Sequence, residues 1–161
     1  MLAIRAVRPD DRESIWSILE PIIRAGDTYT LPTDLSREAA LSYWLDTKHE
    51  VFVAEENSVI LGTYYLRANQ RGGGSHVANC GYMTAPAAIG RGVASTMCIH
   101  SIEQARARNF RAMQFNFVVS NNDRAVRLWQ KHGFQIVGRL PNAFLHPRLG
   151  YTDAYVMYRE L

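Results

Sequence analysis

The sequence holds only two cysteines, Cys80 and Cys98, and neither stands in a Cys-x-x-Cys or Cys/His spacing. That excludes a zinc-finger pattern and a disulfide framework, so reduced thiols are expected. His49, His100, His132 and His146 show no metal-ligand spacing either, and no metal is expected. No apolar run reaches membrane-spanning length, and Met1 to Pro9 lacks the apolar stretch of a secretory signal. A soluble, cytoplasmic protein without membrane partners is the expectation. Long basic runs are also absent. A formal net charge of +3 and a pI of about 9.0 suit an anionic small ligand, but fall short of a nucleic-acid binder, whose aromatic and glycine motifs are wanting. With no repeat or linker, residues 1–161 read as one domain, and 47% hydrophobic residues suffice for a core.

What is present alternates between strand and helix patterns. Leu2 to Val7 alternates apolar and basic residues as a half-buried strand does. Pro9-Asp10-Asp11 then opens a helix with Ile15, Trp16, Ile18, Leu19, Ile22 and Ile23 on one face, ended by Gly26. Residues 27–33 form a turn-rich connector to a second helix, capped by Ser36 and carrying Tyr43 and Trp44 on its apolar face. Two strands are predicted at 51–54 and 58–66 around a turn at 55–57, followed by a polar loop at 67–75. Gly72-Gly73-Gly74 precedes no helix and reads as a flexible connection. A strand over 76–84, a helix from 90 to about 109 and a β-run over 112–119 make a right-handed parallel crossover. Thereafter come a helix over 122–132, a strand from 134 to about 139, a long loop through 141–148 and a last strand near 152–158.

The most informative stretch is Ile89-Gly90-Arg91-Gly92-Val93-Ala94, where the apolar strand has stopped at Pro86 and the long helical pattern begins. Small residues at a helix mouth let unpaired first-turn amides approach an anion, a pyrophosphate above all. The Lys-Ser/Thr of a Walker loop and the third glycine of a dinucleotide fingerprint are both missing. The run resembles motif A of the GCN5-related N-acetyltransferases, Gln/Arg-x-x-Gly-x-Gly/Ala, with Gly92 and Ala94 on its last two positions and Ile89 where Gln or Arg is usual. About thirty residues on, Asn122-Asp123-Arg124-Ala125-Val126-Arg127-Leu128-Trp129-Gln130-Lys131-His132-Gly133-Phe134 resembles the family's Asn-x-x-Ala-x-x-Leu-Tyr-x-x-x-Gly-Phe signature. The similarity spans essentially the whole chain.

That resemblance implies an α/β fold: a mixed seven-stranded central sheet, helices on both faces, and a splay between strands four and five. It implies acetyl-CoA as acetyl donor, its pyrophosphate on Ile89, Gly90, Arg91, Gly92, Val93 and Ala94 and its pantetheine arm paired with the backbone of Tyr82, Met83 and Thr84. Asn122 and Trp129 join the cofactor set. Tyr29 and Thr30, in the connector, would border the acceptor pocket with Asn79 and Asn116, and a homodimer is expected because such dimers are common in the family. Asn79, Asn116 and Asn122 also resemble the polar set of the family's fungal branch that acetylates proline analogues.

Strand alternation puts Asn79, Gly81 and Met83 on one face, and Gln114, Asn116 and Val118 on one face of the neighbouring β-run. Asn79 and Asn116 have two readings, as caps of buried backbone groups or as donors to the reacting carbonyl. Residues 76–84 contain no carboxylate where many family members carry a Glu, so the base falls among His76, Glu55, Asp27 and Asp153. Trp129 stands where the family usually has a proton-donating tyrosine, and an indole is no practical acid, so it either packs on the core or walls the thioester. Cys80, on the opposite strand face from Asn79, has no activating base, which disfavours a covalent acetyl-cysteine. The expected function is acetyl transfer to the amine of a small molecule, an amino acid or analogue, by direct attack in a ternary complex. A catalytically idle acyl-CoA sensor and a protein N-acetyltransferase are the alternatives.

Overall fold

The computed structural model describes residues 1–161. In chain order the elements are β1 (Ala3–Ala6), α1 (Arg12–Ala25), α2 (Arg37–Trp44), β2 (Glu50–Glu56), β3 (Val59–Ala68), β4 (Val77–Thr84), α3 (Val93–Ala107), β5 (Ala112–Val119), α4 (Asp123–Lys131), β6 (Gln135–His146) and β7 (Gly150–Glu160). Seven strands form one mixed sheet in the order β1-β2-β3-β4-β5-β7-β6. Only β4 and β5 run parallel, joined through α3, as the crossover pattern predicts.

Side-chain alternation divides the core into two layers. Phe52, Ala54, Tyr64, Leu66, Ala78 and Cys80 face α3 and α4, where they meet Met97, Ile102 and Trp129. Val51, Val53, Tyr65 and Met83 face α1 and α2, against Ile15, Leu19, Leu41 and Trp44. The sheet is thus covered on both sides. Within the second layer the Trp44 indole donates to the Thr63 hydroxyl at 3.0 Å, which donates onward to the Phe52 carbonyl at 2.9 Å, so each buried polar group is satisfied.

Several boundaries differ from expectation, each for a local reason. The β2–β3 turn falls on Asn57 and Ser58, both at positive φ (50° and 62°), the pair of conformations a two-residue hairpin requires. Helix α3 starts at Val93 rather than 90, because Ile89 is extended and Gly90 and Gly92 stand at φ 84° and 81°, outside the helical region. The long loop predicted over 141–148 is largely strand: β6 continues to His146, with register shifts at 136–138 and 140–144. Pro141 is tolerated there because β6 is the sheet edge and the bulge absorbs the missing N–H. A bulge between Phe115 and Val118 likewise turns Val118 to the α3/α4 face with Phe115, away from Gln114 and Asn116, against strict alternation.

Candidate active site

Strands β4 and β5 pair at only two positions, Val77 with Ala112 and Ala78 with Met113, and then part. Above the parting lies a cavity of about 970 Å³, bounded by the α1–α2 connector, β3, β4, β5, the mouth of α3 and one face of α4. At the split the Asn79 side-chain amide donates to the Gln114 carbonyl at 3.0 Å, across the point where the ladder stops. The Asn79 side-chain oxygen accepts from Nε of Arg67 at 3.2 Å. Asn116 is held too: it donates to the Asn69 side chain at 2.7 Å and accepts from Gln114 at 2.9 Å. Asn79 and Asn116 therefore share the cavity wall, and both have structural partners.

Beyond the split, β4 has no strand on its β5 side. Odd residues bond β3, as the Asn69 to Val77 and Ala85 to Leu61 bonds frame. By alternation the amide of Tyr82 and the main chain of Thr84 face the gap, whereas Met83 turns its backbone to Thr63 and offers the cavity only its side chain. The Tyr82 carbonyl, expected to be free, accepts from the Tyr29 hydroxyl at 2.8 Å. Burial holds that phenol well above its ordinary pKa, so it stays a donor. Thr30 lines the rim beside it. The Tyr82 side chain is turned into the core, bonded to Ser101 at 2.7 Å and packed on Trp129.

At the mouth of α3, Gly90 and Gly92 adopt φ of 84° and 81°, and a Cβ built on either would meet no protein atom within 4 Å. The glycines serve a left-handed backbone that leaves an open hollow. The amides of Gly92, Val93, Ala94 and Ser95 find no acceptor in the chain, and no side chain caps the helix. Such an array of unpaired donors, with space before it, fits a pyrophosphate. Ile89 adds an apolar rim. Arg91 departs from expectation: its guanidinium pairs with Glu56 outside the cavity, and its amide donates to Ala88 at 3.2 Å. Cations come instead from Arg124, Arg127 and Lys131, which line the cavity from α4. Their i, i+3, i+7 spacing is visible in the sequence and marks one helix face. Asn122 lines the cavity and uses its oxygen to cap α4 through the Ala125 N–H at 3.4 Å.

Trp129 forms the floor between the two ends, with its ring 4.9 Å from both Tyr82 and Phe115. Its indole N–H makes no hydrogen bond within the chain, although the ring is almost wholly buried. Of the four candidate bases only Asp27 lines the cavity. Glu55 pairs with Arg5, Asp153 holds Arg139 and the Asn142 amide, and His76 is exposed at the far end of β4. Burial pushes the Cys80 thiol up to about 12, so it is no nucleophile at neutral pH.

The model for the acetyltransferase (GNAT) family matches residues 13–134. The chain belongs to the GNAT family. Its fold superposes on a GCN5-related N-acetyltransferase from Kribbella flavida with a TM-score of 0.95 and 38% identity, over 99% of this chain and 98% of that one. A GNAT superfamily phosphinothricin acetyltransferase from Sinorhizobium meliloti, solved with acetyl-CoA, shares the fold at a TM-score of 0.85 and 21% identity, over 99% and 88% of the two chains. Among curated proteins, N-acetyltransferase aca1 of Schizosaccharomyces pombe is 24% identical over 151 residues, covering 83% of this chain and 72% of its own. These GNAT features, the parted strands and the uncapped helix mouth, are those the sequence motifs predicted. No helix of the chain is long and apolar enough to cross a membrane.

Proposed function

We propose that residues 1–161 form one catalytic domain that transfers acetyl from acetyl-CoA to the amine of a small molecule, an amino acid or analogue. The observation that carries this reading is one continuous cavity joining the uncapped mouth of α3 to a polar pocket at the strand split. The donor supplies an activated acetyl thioester. The amides of Gly92, Val93, Ala94 and Ser95, with Arg124, Arg127 and Lys131, hold its phosphates, and the main chain of Tyr82 and Thr84 aligns the arm as an added strand would. Trp129 walls the reacting end. Asp27 is the one carboxylate on the cavity wall and takes the proton from the acceptor ammonium.

A small acceptor with a weakly basic amine suits this site. A lysine amine, with a pKa near 10.4, is almost wholly charged at neutral pH, whereas an α-amine near 7.7 to 8.0 keeps a neutral fraction without a strong base. The polar pocket lies beside the Asn79–Gln114 contact, where the strands part. The test is release of free CoA from acetyl-CoA across free amino acids, their cyclic analogues, polyamines and a lysine peptide. Turnover of the peptide alone would move the enzyme to protein acetylation, and none at all would make it an acyl-CoA sensor.

We place the protein in the cytoplasm on its two buried, unpaired thiols. A second copy covers the β6 edge, where Val137, Leu145 and Leu149 are exposed beside Tyr151 of β7. Light scattering should give twice the 18.2 kDa chain mass.

A further inference from the structure

The acceptor half of the cavity contains a cation that no acid neutralises. Arg67 projects from β3 onto the cavity wall, half-buried, and its one hydrogen bond runs from Nε to Asn79 at 3.2 Å. Its two terminal nitrogens have no partner in the chain. Other arginines near acids are engaged: Arg5 with Asp11, Arg108 with Glu50, Arg139 with Asp153. The single acid on the cavity wall, Asp27, is already met by Arg148 at 3.4 Å. No side-chain nitrogen of the chain is both buried and unpaired, so the two terminal nitrogens of Arg67 stay accessible and are free for a guest.

The geometry around Arg67 orients it toward a guest. Asn79 is itself fixed by its bond to the Gln114 carbonyl, so its oxygen has one direction to offer, and Arg67 Nε meets it. With Nε occupied, the paired terminal nitrogens remain as a fork, the shape that grips a carboxylate through two parallel hydrogen bonds. The neighbouring walls are neutral: the phenols of Tyr43 and Tyr65, and the amide of Asn116. Tyr65 is further held down by its 3.3 Å contact with the Tyr43 hydroxyl and by stacking on His49 at 4.1 Å.

This cation is separate from those that serve the phosphates. Along β4, Asn79 and Thr84 are five residues apart, roughly 16 Å of extended chain. Arg67 shares the sheet face of Tyr65, packed toward α1 and α2, while Arg124, Arg127 and Lys131 come from α4 on the opposite face. The cavity therefore has two positive ends, one beside the free amides of α3 and one beside the strand split.

We propose that Arg67 is the carboxylate anchor of the acceptor, so that the molecule acetylated carries both an amine and an acid, as an amino acid does. Asn79 then acts as a positioning residue for Arg67. The inference rests on the reading of this cavity as the acetyl-acceptor site.

The experiment compares kcat/KM for free amino acids and for their carboxamides, with the full chain and with Arg67→Gln and Arg67→Lys. The acid should be preferred by roughly 10- to 150-fold, the worth of hydrogen bonds to a charged group. In Arg67→Gln that ratio should collapse toward unity, mainly through KM for the acid, and Arg67→Lys should recover part of it. A parallel calorimetric titration of N-acetyl amino acids and N-acetyl amino amides into the protein with CoA should show the same selectivity and the same loss. Turnover with no preference for the acid, or a preference unchanged in Arg67→Gln, would overturn the anchor and leave the acetyltransferase reading intact. Acid-selective binding that Arg67→Gln abolishes, with no amine turned over, would support the anchor and overturn the catalytic reading. Neither binding nor turnover would overturn both.

Discussion

The side-chain amide of Asn79 donates to the main-chain carbonyl of Gln114 at 3.0 Å, one residue past the last paired position of β4 and β5. A side chain thus takes the place of the next ladder bond, and the strands part without leaving that carbonyl unsatisfied. The split in the sheet, and with it the cavity, begins at this contact.

Asn79→Ala should therefore lower both stability and turnover. Losing a donor to a buried carbonyl costs about 1 to 3 kcal/mol, and turnover should fall about ten- to a thousand-fold as the site loses its alignment. Asn116→Ala, whose partners are other side chains, should cost under about 1 kcal/mol. Urea unfolding and initial rates on the two variants separate the effects; equal destabilisation would deny Asn79 its special place.

Gly92→Glu should abolish acetyl-CoA binding while the fold survives, because the new carboxylate fills the hollow before the free amides. Gly92→Ala, at φ 81°, should cost about 1 to 3 kcal/mol through backbone strain alone. Calorimetry with acetyl-CoA checks the first, and thermal unfolding the second. Unaltered affinity in Gly92→Glu would place the cofactor elsewhere.

Trp129→Phe should retain most activity and Trp129→Ala lose much of it. The ring contacts Tyr82 and Phe115 and shapes the reacting end, so a phenyl keeps the wall and an alanine leaves a void. On the proposed reaction the leaving thiolate, of pKa about 8.5, needs no strong acid and can take its proton from water. Equal damage from Phe and Ala in folded protein would assign chemistry to the indole N–H.

Gly81→Ala should destabilise the protein although its backbone is ordinary strand. An added Cβ would lie 2.6 to 2.8 Å from the Tyr65 ring and hydroxyl. That ring is stacked on His49 and cannot retreat freely, so overpacking of about 1 to 3 kcal/mol is expected in thermal melts. A Gly81→Ala variant combined with Tyr65→Leu should recover part of the loss.

Acid should weaken the fold through Asp11. Its carboxylate accepts two bonds from Arg5, at 2.8 and 3.0 Å, and one from the Arg8 amide at 2.6 Å, which together hold its pKa below the ordinary value despite burial. A depressed folded pKa means the contribution is fully present above the unfolded value, roughly 4, and is lost as pH falls through the folded one. Asp11→Asn should lower stability by about 1 to 3 kcal/mol at pH 7 and flatten its dependence below pH 4. A parallel decline of both proteins with acid would remove Asp11 from the account.

Local chemistry makes much of this protein legible in its sequence. The αL glycines at 90 and 92, the capping Asn122 and the Gly-Phe after α4 are short-range requirements, written in consecutive residues, and they led to the family, the sheet and the open, uncapped mouth of α3. Alternation identified Asn79 and Asn116 as neighbours because period two survives in β4 and in the first half of β5. It failed at Val118 and through β6, where bulges insert a residue according to pairing partners far away in the chain. The fate of each charge was likewise settled by folding: Glu56 drew Arg91 away from the cavity, Asn79 turned Arg67 toward it, and Asp27 alone of the candidate bases reached the wall. A charge takes its role from whichever opposite charge or donor the fold brings within a few ångströms, and those partners lie up to 121 residues away along the chain.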